Sequence, residues 1–301
     1  MESFRGLFAA SVTPRRPDSA QIDLASYWDL IDFLGEFPFQ GIVLMGSTGE
    51  FPHFDLEQRI KFLGLTVKRS RLPVIVNVTH STLEGSLELA DAASRANALG
   101  VLIMPPIFFR YGEADVRSWF EQFASEKPRT PALLYNIPAF TSPLSLDLAA
   151  ELLRTGCFAG IKDSSGDWTY FERFQSSDFG SKYAFLVGND ELFLRARTAG
   201  AVGAVSGVSC AVPELMLALE RAIASNNAQR ATALNQRLDE FLTAISPFPV
   251  PVGIREALRA RGLKIGPGAI PYTGQRAADI DGFRDWFAGW LKIVQSEVKS
   301  A

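Results

Sequence analysis

The sequence has few of the side chains that metal and redox sites use. It contains two cysteines, Cys157 and Cys210, and two histidines, His53 and His80, in 301 residues. Neither cysteine has a partner at metal-ligand spacing, so we expect both to be small core residues and expect no metal. Glycine-rich phosphate loops, GxSxG and HExxH motifs are also missing. The sequence therefore gives no support to the usual cofactor-binding and hydrolase classes, and we expect no cofactor.

Basic tracts and long apolar runs are missing as well. The net charge is −3 and lysine and arginine are scattered along the chain, so we expect no nucleic-acid partner. No apolar run reaches the length of a membrane span, and the first residues lack the basic region and long apolar region of a signal peptide. These absences predict a globular protein of the cytoplasm without a membrane partner.

What the sequence does contain is an eightfold alternation of apolar, strand-like runs with amphipathic, helix-like stretches. The runs begin at Gly6, Gly41, Pro73, Val101, Ala132, Phe158, Ala184 and Gly203. Continuous apolar strands that alternate with helices predict a parallel sheet covered by helices. Eight of them favour a closed (β/α)8 TIM barrel, in residues 1–224, followed by a C-terminal helical extension in residues 225–301. An open doubly wound sheet is the alternative, but Thr13–Arg16 stands where its glycine-rich turn belongs.

In such a barrel the functional site forms where the strands end, so polar residues at those places are the candidates. They are Thr13, Gly46–Glu50, Asn77, Thr79, His80, Tyr135, Asn136, Lys162, Asp163, Ser164, Gly188–Glu191, Ser206 and Ser209. Together they would bring an amine, a phenol, carboxylates and an anion-binding loop to one end of the barrel.

Lys162 is the most informative of these residues because it closes the apolar run 158–161 and precedes a polar turn. Burial disfavours the charged form of an amine, and a neutral amine is a nucleophile that condenses with ketones. The alternative is a lysine that extends from a strand end into solvent. A helix is expected to begin near Trp168.

The other candidates each allow two interpretations. The loop with Ser47 and Thr48 offers backbone amides and hydroxyls to a carboxylate, or simply caps the next helix. Tyr135 is either a proton relay or a core tyrosine. Asp190 and Glu191 either bind substrate hydroxyls or cap a helix. We add two further substrate-binding candidates from the seventh and eighth strand ends, Gly188 and Ser206.

These segments, above all 46–50, 135–138 and 160–162, resemble the pyruvate-dependent class I aldolases, the family of dihydrodipicolinate synthase and N-acetylneuraminate lyase. The resemblance extends from about Gly6 to the C-terminal helices. It implies that Lys162 forms a Schiff base with pyruvate, that Tyr135 relays protons, and that Ser47 and Thr48 hold the carboxylate. It also implies an aldehyde as second substrate, no metal, and a homotetramer.

Two positions depart from the synthase pattern. Phe140 stands where the synthases have an arginine that binds a carboxylate of the aldehyde, and an apolar ring cannot replace a guanidinium. Phe108 stands where the synthases have a tyrosine that reaches the site of a neighbouring subunit. Tyr111 is the alternative candidate for that role. We therefore expect a lyase or aldolase for a 2-keto-3-deoxy sugar acid. Dihydrodipicolinate synthase, N-acetylneuraminate lyase and a keto-acid-binding barrel without turnover remain the alternatives.

Overall fold

A computed structural model describes residues 2–126 and 128–299 and contains a closed barrel of eight parallel strands in chain order. The strands are β1 (Gly6–Ala10), β2 (Gly41–Leu44), β3 (Val74–Asn77), β4 (Gly100–Ile103), β5 (Ala132–Asn136), β6 (Phe158–Asp163), β7 (Ala184–Val187) and β8 (Gly203–Ser206). Pairing of β1 with β8 closes the barrel. The predicted (β/α)8 TIM barrel is confirmed.

In the described part of the chain, seven helices connect the strands and cover the outside of the barrel. They are α1 (Leu24–Leu34), α2 (Leu56–Arg69), α3 (Leu83–Arg95), α4 (Glu113–Ser125), α5 (Leu146–Arg154), α6 (Trp168–Ser176) and α7 (Phe193–Thr198). Helix α6 begins at Trp168, as predicted, because the Asp167 carboxylate accepts hydrogen bonds from the amides of Thr169 and Tyr170. Short 3-10 turns span Glu2–Phe4, Phe51–His53 and Asp190–Leu192.

Helices also follow β8, as the sequence pattern predicts. They are α8 (Val208–Ala211), α9 (Pro213–Ala224), α10 (Ala228–Ile245), α11 (Val252–Ala260) and α12 (Gly274–Lys299). Aromatic rings join α10 to α12, with 5.5 Å between the ring centroids of Phe241 and Trp290. These helices share one continuous hydrophobic core with the barrel. The boundary after residue 224 stays a prediction, and residues 1, 127, 300 and 301 of the two predicted ranges lie outside the described residues.

One irregularity in the barrel bears on the site. Ala132 on β5 pairs with Phe158 on β6, whereas Leu133 pairs with Gly160, so that Ala159 is an extra residue in β6. This bulge shifts the register by one residue from there onward. The register then pairs Tyr135 with Lys162 and Asn136 with Asp163.

The prediction that both cysteines are core residues is half wrong. Cys210 is buried, but Cys157 is exposed, and both are free thiols. Cys157 belongs to the turn after α5, where its amide donates to the Thr155 hydroxyl at 3.2 Å. Its position one residue before a buried strand made it look apolar in the sequence.

Within 2–126 and 128–299, every helix is too short or too polar to cross a membrane. Over the same ranges, no three histidine, cysteine or acidic side chains lie close enough together to hold a metal ion.

Candidate functional site

Lys162 and Tyr135 lie side by side at the carboxyl ends of β6 and β5. Lys162 is 4% exposed and Tyr135 is fully buried. The Lys162 Nζ lies 3.9 Å from the centroid of the Tyr135 ring. The alternative of a lysine that extends into solvent does not describe this side chain. A buried amine against an aromatic face lies where a carbonyl compound would be shielded from bulk water.

The phenol of Tyr135 shares a hydrogen bond of 3.2 Å with the Ser47 hydroxyl. Burial raises the pKa of this phenol, but the Lys162 charge and the hydrogen bonds with Lys162 and Ser47 outweigh burial, so that its pKa is lowered from the ordinary value. A phenol whose pKa is lowered releases its proton more readily, which suits a proton relay. This contact ties the loop after β2 to β5.

The loop 46–50 has a backbone that few sequences can adopt. Met45 and Glu50 have positive φ angles of 58° and 54°, and a Cβ at Gly49 would lie 2.9 Å from the Met45 Cα. Such conformations store strain and are found at functional sites. Asp55, not Ser47 or Thr48, caps α2. The two hydroxyls are therefore free of the capping role that the sequence left open.

Two glycines leave room for site side chains. A Cβ at Gly188 would lie 2.2 Å from the Ser164 Oγ and 2.8 Å from the Lys162 Cε. A Cβ at Gly207 would lie 3.4 Å from the Thr48 Oγ1. Glycine at residue 188 is therefore a requirement for the position of the Lys162 side chain, and Thr48 lies against the end of β8.

Asp190 and Ser206 extend the cluster across β7 and β8. The Ser206 Oγ accepts a hydrogen bond of 2.9 Å from the Ser209 amide, and the Asp190 Oδ2 accepts one of 3.4 Å from the Val208 amide. Burial raises the pKa of Asp190 to about 6, although the Ser206 hydroxyl and the Lys162 charge act in the opposite direction. Asn189, whose side chain accepts from the Glu191 amide, is the residue that caps this turn.

Glu191 lies apart from this cluster. It is exposed and lines a surface cavity together with Trp168 and Arg195, between α7 and α10. Lys162, Tyr135, Ser47, Gly188, Asp190 and Ser206 are thus brought together, with Thr48 beside them. A substrate role of Glu191 stays a prediction that the geometry does not favour.

Behind the lysine, Asn136 and Asp163 form a buried pair. The Asn136 Nδ2 donates to the Asp163 Oδ1 at 2.7 Å, and the Ser165 hydroxyl donates to Oδ2 at 2.7 Å. The Asn136 Oδ1 accepts from the Leu144 amide at 3.1 Å. Burial raises the pKa of Asp163 to about 6, against the effect of these hydrogen bonds. The pair links the ends of β5 and β6 next to Tyr135 and Lys162.

Sequence reasoning missed Arg59, a buried cation on α2. It is 2% exposed and donates to the carbonyl oxygens of Thr79 and Asn77, at 2.8 and 3.0 Å. Its signal in the sequence was the helical spacing, which places Arg59 on the same face as Leu56, Phe62 and Leu63. His80, by contrast, serves the start of α3, because its Nδ1 accepts from the Thr82 amide at 3.2 Å.

The rim of the barrel mouth carries exposed aromatic side chains. Phe108 is 88% exposed with a φ of 78°, Phe109 is 62% exposed, and Tyr111 is 42% exposed. Phe140 is 55% exposed in the turn after β5. A bridge between Ile107 and Thr141 joins the loops after β4 and β5. Both candidates for the intersubunit tyrosine position, Phe108 and Tyr111, thus lie on the outer surface.

Comparisons with known proteins agree with the fold and show the family. The model of the Dihydrodipicolinate synthetase family matches residues 3–278. A 4-hydroxy-tetrahydrodipicolinate synthase of Methanothrix thermoacetophila is 30% identical over 271 residues, which are 89% of this chain and 90% of that protein. A sialic acid aldolase of Ruminococcus gnavus superposes with a TM-score of 0.88 at 23% identity, over 97% and 99% of the two chains. Dihydrodipicolinate synthase of Aquifex aeolicus gives 0.88 at 23% identity, over 95% and 98%.

Proposed function

Because this chain belongs to the dihydrodipicolinate synthetase family and is a Schiff-base class I aldolase, a carbon–carbon lyase, we propose that it acts on a 2-keto-3-deoxy sugar acid. Pyruvate is one product of cleavage and an aldehyde is the other. The expected family resemblance is confirmed by the match over residues 3–278. Beyond the family, we propose the roles of individual residues and the identity of the aldehyde.

The observation that carries the proposal is the row formed by Lys162, Tyr135 and Ser47. The amine lies 3.9 Å from the phenol ring centroid, and the phenol shares a 3.2 Å hydrogen bond with the serine. An amine, a proton relay and a carboxylate-binding hydroxyl are the three groups that imine chemistry on a 2-keto acid requires. In this row each of the three groups contacts the next one.

In the proposed reaction, the neutral amine of Lys162 attacks the keto carbon, and loss of water gives an iminium. The iminium withdraws electrons, so the bond between C3 and C4 breaks to an enamine and an aldehyde. Tyr135 takes the proton of the C4 hydroxyl as that bond breaks. The enamine is then protonated at C3, and water releases pyruvate and restores the amine. Ser47 and Thr48 hold the carboxylate throughout.

Polar groups on the far side of Lys162 support a hydroxyl-rich aldehyde half. The Asp190 carboxylate and the Ser206 hydroxyl lie at the ends of β7 and β8. The Ser164 hydroxyl is buried beside the Tyr135 phenol, where its interaction helps to lower the pKa of Tyr135, and it can also contact a substrate hydroxyl. A carboxylate and two hydroxyls suit several hydroxyl groups better than a second carboxylate.

Synthesis of 4-hydroxy-tetrahydrodipicolinate is the second candidate, favoured by the relative of that name at 30% identity. Phe140 speaks against it. The ring is 55% exposed and supplies no positive charge to a carboxylate on the aldehyde. Cleavage of N-acetylneuraminate, the reaction expected of a sialic acid aldolase, is a third candidate within the same chemistry.

We extend the proposal to a homotetramer in the cytoplasm. The exposed rings of Phe108 and Phe109 make contact with each other, with 4.8 Å between their centroids. An exposed aromatic cluster of this kind supports an interface between subunits at this surface. Both cysteines are free thiols, which suits a reducing compartment. Sedimentation velocity of wild type and Phe108→Asp would test the assembly, and cell fractionation would test the compartment.

Borohydride reduction in the presence of pyruvate, followed by peptide mass mapping, tests the chemistry. We expect a reduced pyruvyl adduct on Lys162 in wild type and in the exposed-lysine control Lys182→Ala, and none in Lys162→Ala. A folded wild-type protein without the adduct at saturating pyruvate would contradict the proposal.

Turnover then separates the candidate substrates. We expect cleavage of 2-keto-3-deoxy sugar acids to exceed both cleavage of N-acetylneuraminate and condensation of pyruvate with a carboxylate-bearing amino aldehyde. Faster condensation with that aldehyde would favour the synthase. An adduct without turnover of any substrate would indicate a keto-acid-binding protein.

A further inference from the structure

The C-terminal extension reaches the barrel mouth through one buried arginine. Arg255 on α11 is 1% exposed, and its Nη1 lies 2.8 Å from the Glu50 Oε2. The same Nη1 donates to the Thr13 carbonyl at 3.0 Å. The two partners lie 242 and 205 residues away in the sequence. Arg255 therefore joins the ends of β1 and β2 to α11.

The other end of the guanidinium is held equally firmly. Its Nη2 donates to the carbonyl oxygens of Ile265, Gly266 and Pro267, at 3.0, 3.2 and 2.6 Å. Five hydrogen bonds to one guanidinium leave it little freedom, because its donors form a planar fork. Arg255 is thus a fixed point against which the loop after β2 can rest.

Glu50 is the loop residue that meets this fixed point. It adopts the left-handed conformation, with φ 54° and ψ 37°, directly after Gly49. Such a conformation is unfavourable for a glutamate unless its surroundings hold it. The Thr13 hydroxyl assists, because it donates to the Gly49 carbonyl at 2.7 Å. The loop is therefore held at its end by one ion pair and one hydrogen bond.

Ser47 and Thr48 occupy the same turn as Glu50. The Glu50 amide donates to the Ser47 carbonyl at 3.1 Å, and the Gly49 amide to the Gly46 carbonyl at 3.0 Å. Because of these hydrogen bonds, a displacement of Glu50 would also shift the hydroxyls of Ser47 and Thr48. Neither Glu50 nor Arg255 takes part in the proposed proton transfers.

We infer that α11 is a positioning element for the carboxylate-binding loop, which it holds through the Arg255–Glu50 ion pair. The inference rests on the proposed function, in which Ser47 and Thr48 hold the pyruvate carboxylate. The extension then sets the affinity for pyruvate, while Lys162 and Tyr135 set the rate of the chemical steps.

The experiment measures pyruvate-dependent trapping by borohydride in Glu50→Gln and in Glu50→Asp. Glu50→Asp keeps the charge, so it still tests the inference if Glu50→Gln fails to fold. We expect the pyruvate concentration for half-maximal trapping to rise about tenfold in Glu50→Gln and less in Glu50→Asp. The amount of adduct at saturating pyruvate should stay within about twofold of wild type, because the variant loses affinity for pyruvate but keeps the groups that react.

Glu214→Gln is the matched control. It weakens a partly buried Arg–Glu pair at the end of α11, in which Arg261 Nη1 lies 3.0 Å from the Glu214 Oε1, but it does not touch the loop. We expect a lower melting temperature and an unchanged half-maximal pyruvate concentration. A similar rise in Glu214→Gln, or none in folded Glu50→Gln and Glu50→Asp, would overturn the inference.

Hydrogen exchange of the amides in 46–50 provides a readout that does not need pyruvate. We expect exchange to be about tenfold faster in Glu50→Gln than in wild type, and unchanged in Glu214→Gln. If wild type forms no adduct, the proposed function fails, and the exchange rates alone decide whether Arg255 anchors the loop. Equal exchange in Glu50→Gln and wild type would refute the anchoring.

Discussion

The ring of Tyr135 lies against the amine of Lys162, 3.9 Å from Nζ to the ring centroid, while its hydroxyl bonds to Ser47. The face of the ring covers the amine, and the hydroxyl is directed toward the loop after β2. One side chain thus contacts both the proposed nucleophile, Lys162, and the loop that we propose binds the carboxylate. Each can be tested separately.

Removal of the phenol oxygen alone should slow turnover without loss of the fold. In Tyr135→Phe the ring still covers Lys162, but the proton relay is gone, so we expect a fall in kcat of about 10²–10⁴-fold. Steady-state kinetics with the best substrate measures it. Tyr27→Phe is the control, because Tyr27 is also buried and its hydroxyl shares a hydrogen bond of 3.1 Å with the Ser11 hydroxyl, away from Lys162. A fall in kcat of similar size in both variants would argue against a relay.

An added methyl group at Gly188 should displace the reactive lysine. The new Cβ of Gly188→Ala would lie 2.8 Å from the Lys162 Cε, so we expect trapping with pyruvate to slow by about 10²-fold. Gly64→Ala is the control. Gly64 lies inside α2, where no side chain of the described residues lies within 4 Å of the added Cβ, and alanine there should stabilise the protein by about 0.5–1 kcal/mol. Wild-type trapping in folded Gly188→Ala would show that the lysine tolerates the displacement.

The buried carboxyl of Asp163 should make stability depend on pH. Its pKa rises to about 6 on burial from an ordinary 3.8, so the folded state binds the proton more tightly than the unfolded state. Asp163 therefore lowers stability above about pH 6, and this effect disappears below about pH 4. As the pH rises from about 4 to about 6, the free energy of unfolding of wild type should therefore fall by about 2–3 kcal/mol more than that of Asp163→Asn.

Urea unfolding of both proteins from about pH 4 to pH 7 measures this difference. Any constant contribution of the substitution cancels, because only the change with pH is compared. Asp18→Asn, at an exposed position, should follow the wild-type curve. Parallel curves for wild type and Asp163→Asn would mean that the carboxyl is not perturbed by burial.

An arginine at position 140 should change the preference among aldehydes. Phe140→Arg places a guanidinium at the rim, so we expect kcat/KM for a carboxylate-bearing aldehyde to rise about tenfold relative to that for a sugar-derived aldehyde. Competition assays with both aldehydes measure the ratio. Phe140→Leu keeps the site apolar and should leave the ratio near that of wild type. An unchanged ratio in Phe140→Arg would place the aldehyde away from this rim.

The fold and the centre of the site could be predicted because their signals are local. Each strand is a short apolar run, and Lys162 and Tyr135 each end one of them. Closure of the barrel brings such ends together whatever their separation in the sequence, so the grouping of Lys162, Tyr135, Asp190 and Ser206 follows from strand order alone. The start of α6 at Trp168 follows from the preceding Asp167 in the same way.

Side chains that act across long separations left no such signal. The contact between Arg255 and Glu50 depends on how α11 packs, which no local pattern encodes. The outward direction of Glu191 depends on the turn Asp190–Leu192, where adjacent residues face opposite ways. The exposure of Cys157 depends on a turn that ends one residue before β6.

The extra residue Ala159 in β6 has a consequence for how this enzyme can change. With an unbroken register, Tyr135 would pair with Ile161, and the alternation of strand side chains would turn Lys162 away from the interior. Ala159 thus determines which face of the sheet the side chains of residues 160–163 occupy. Deletion of Ala159 would keep residues 160–163 the same but would move each of their side chains to the opposite face of β6. Substitutions of Ala159 should be tolerated far better than its loss.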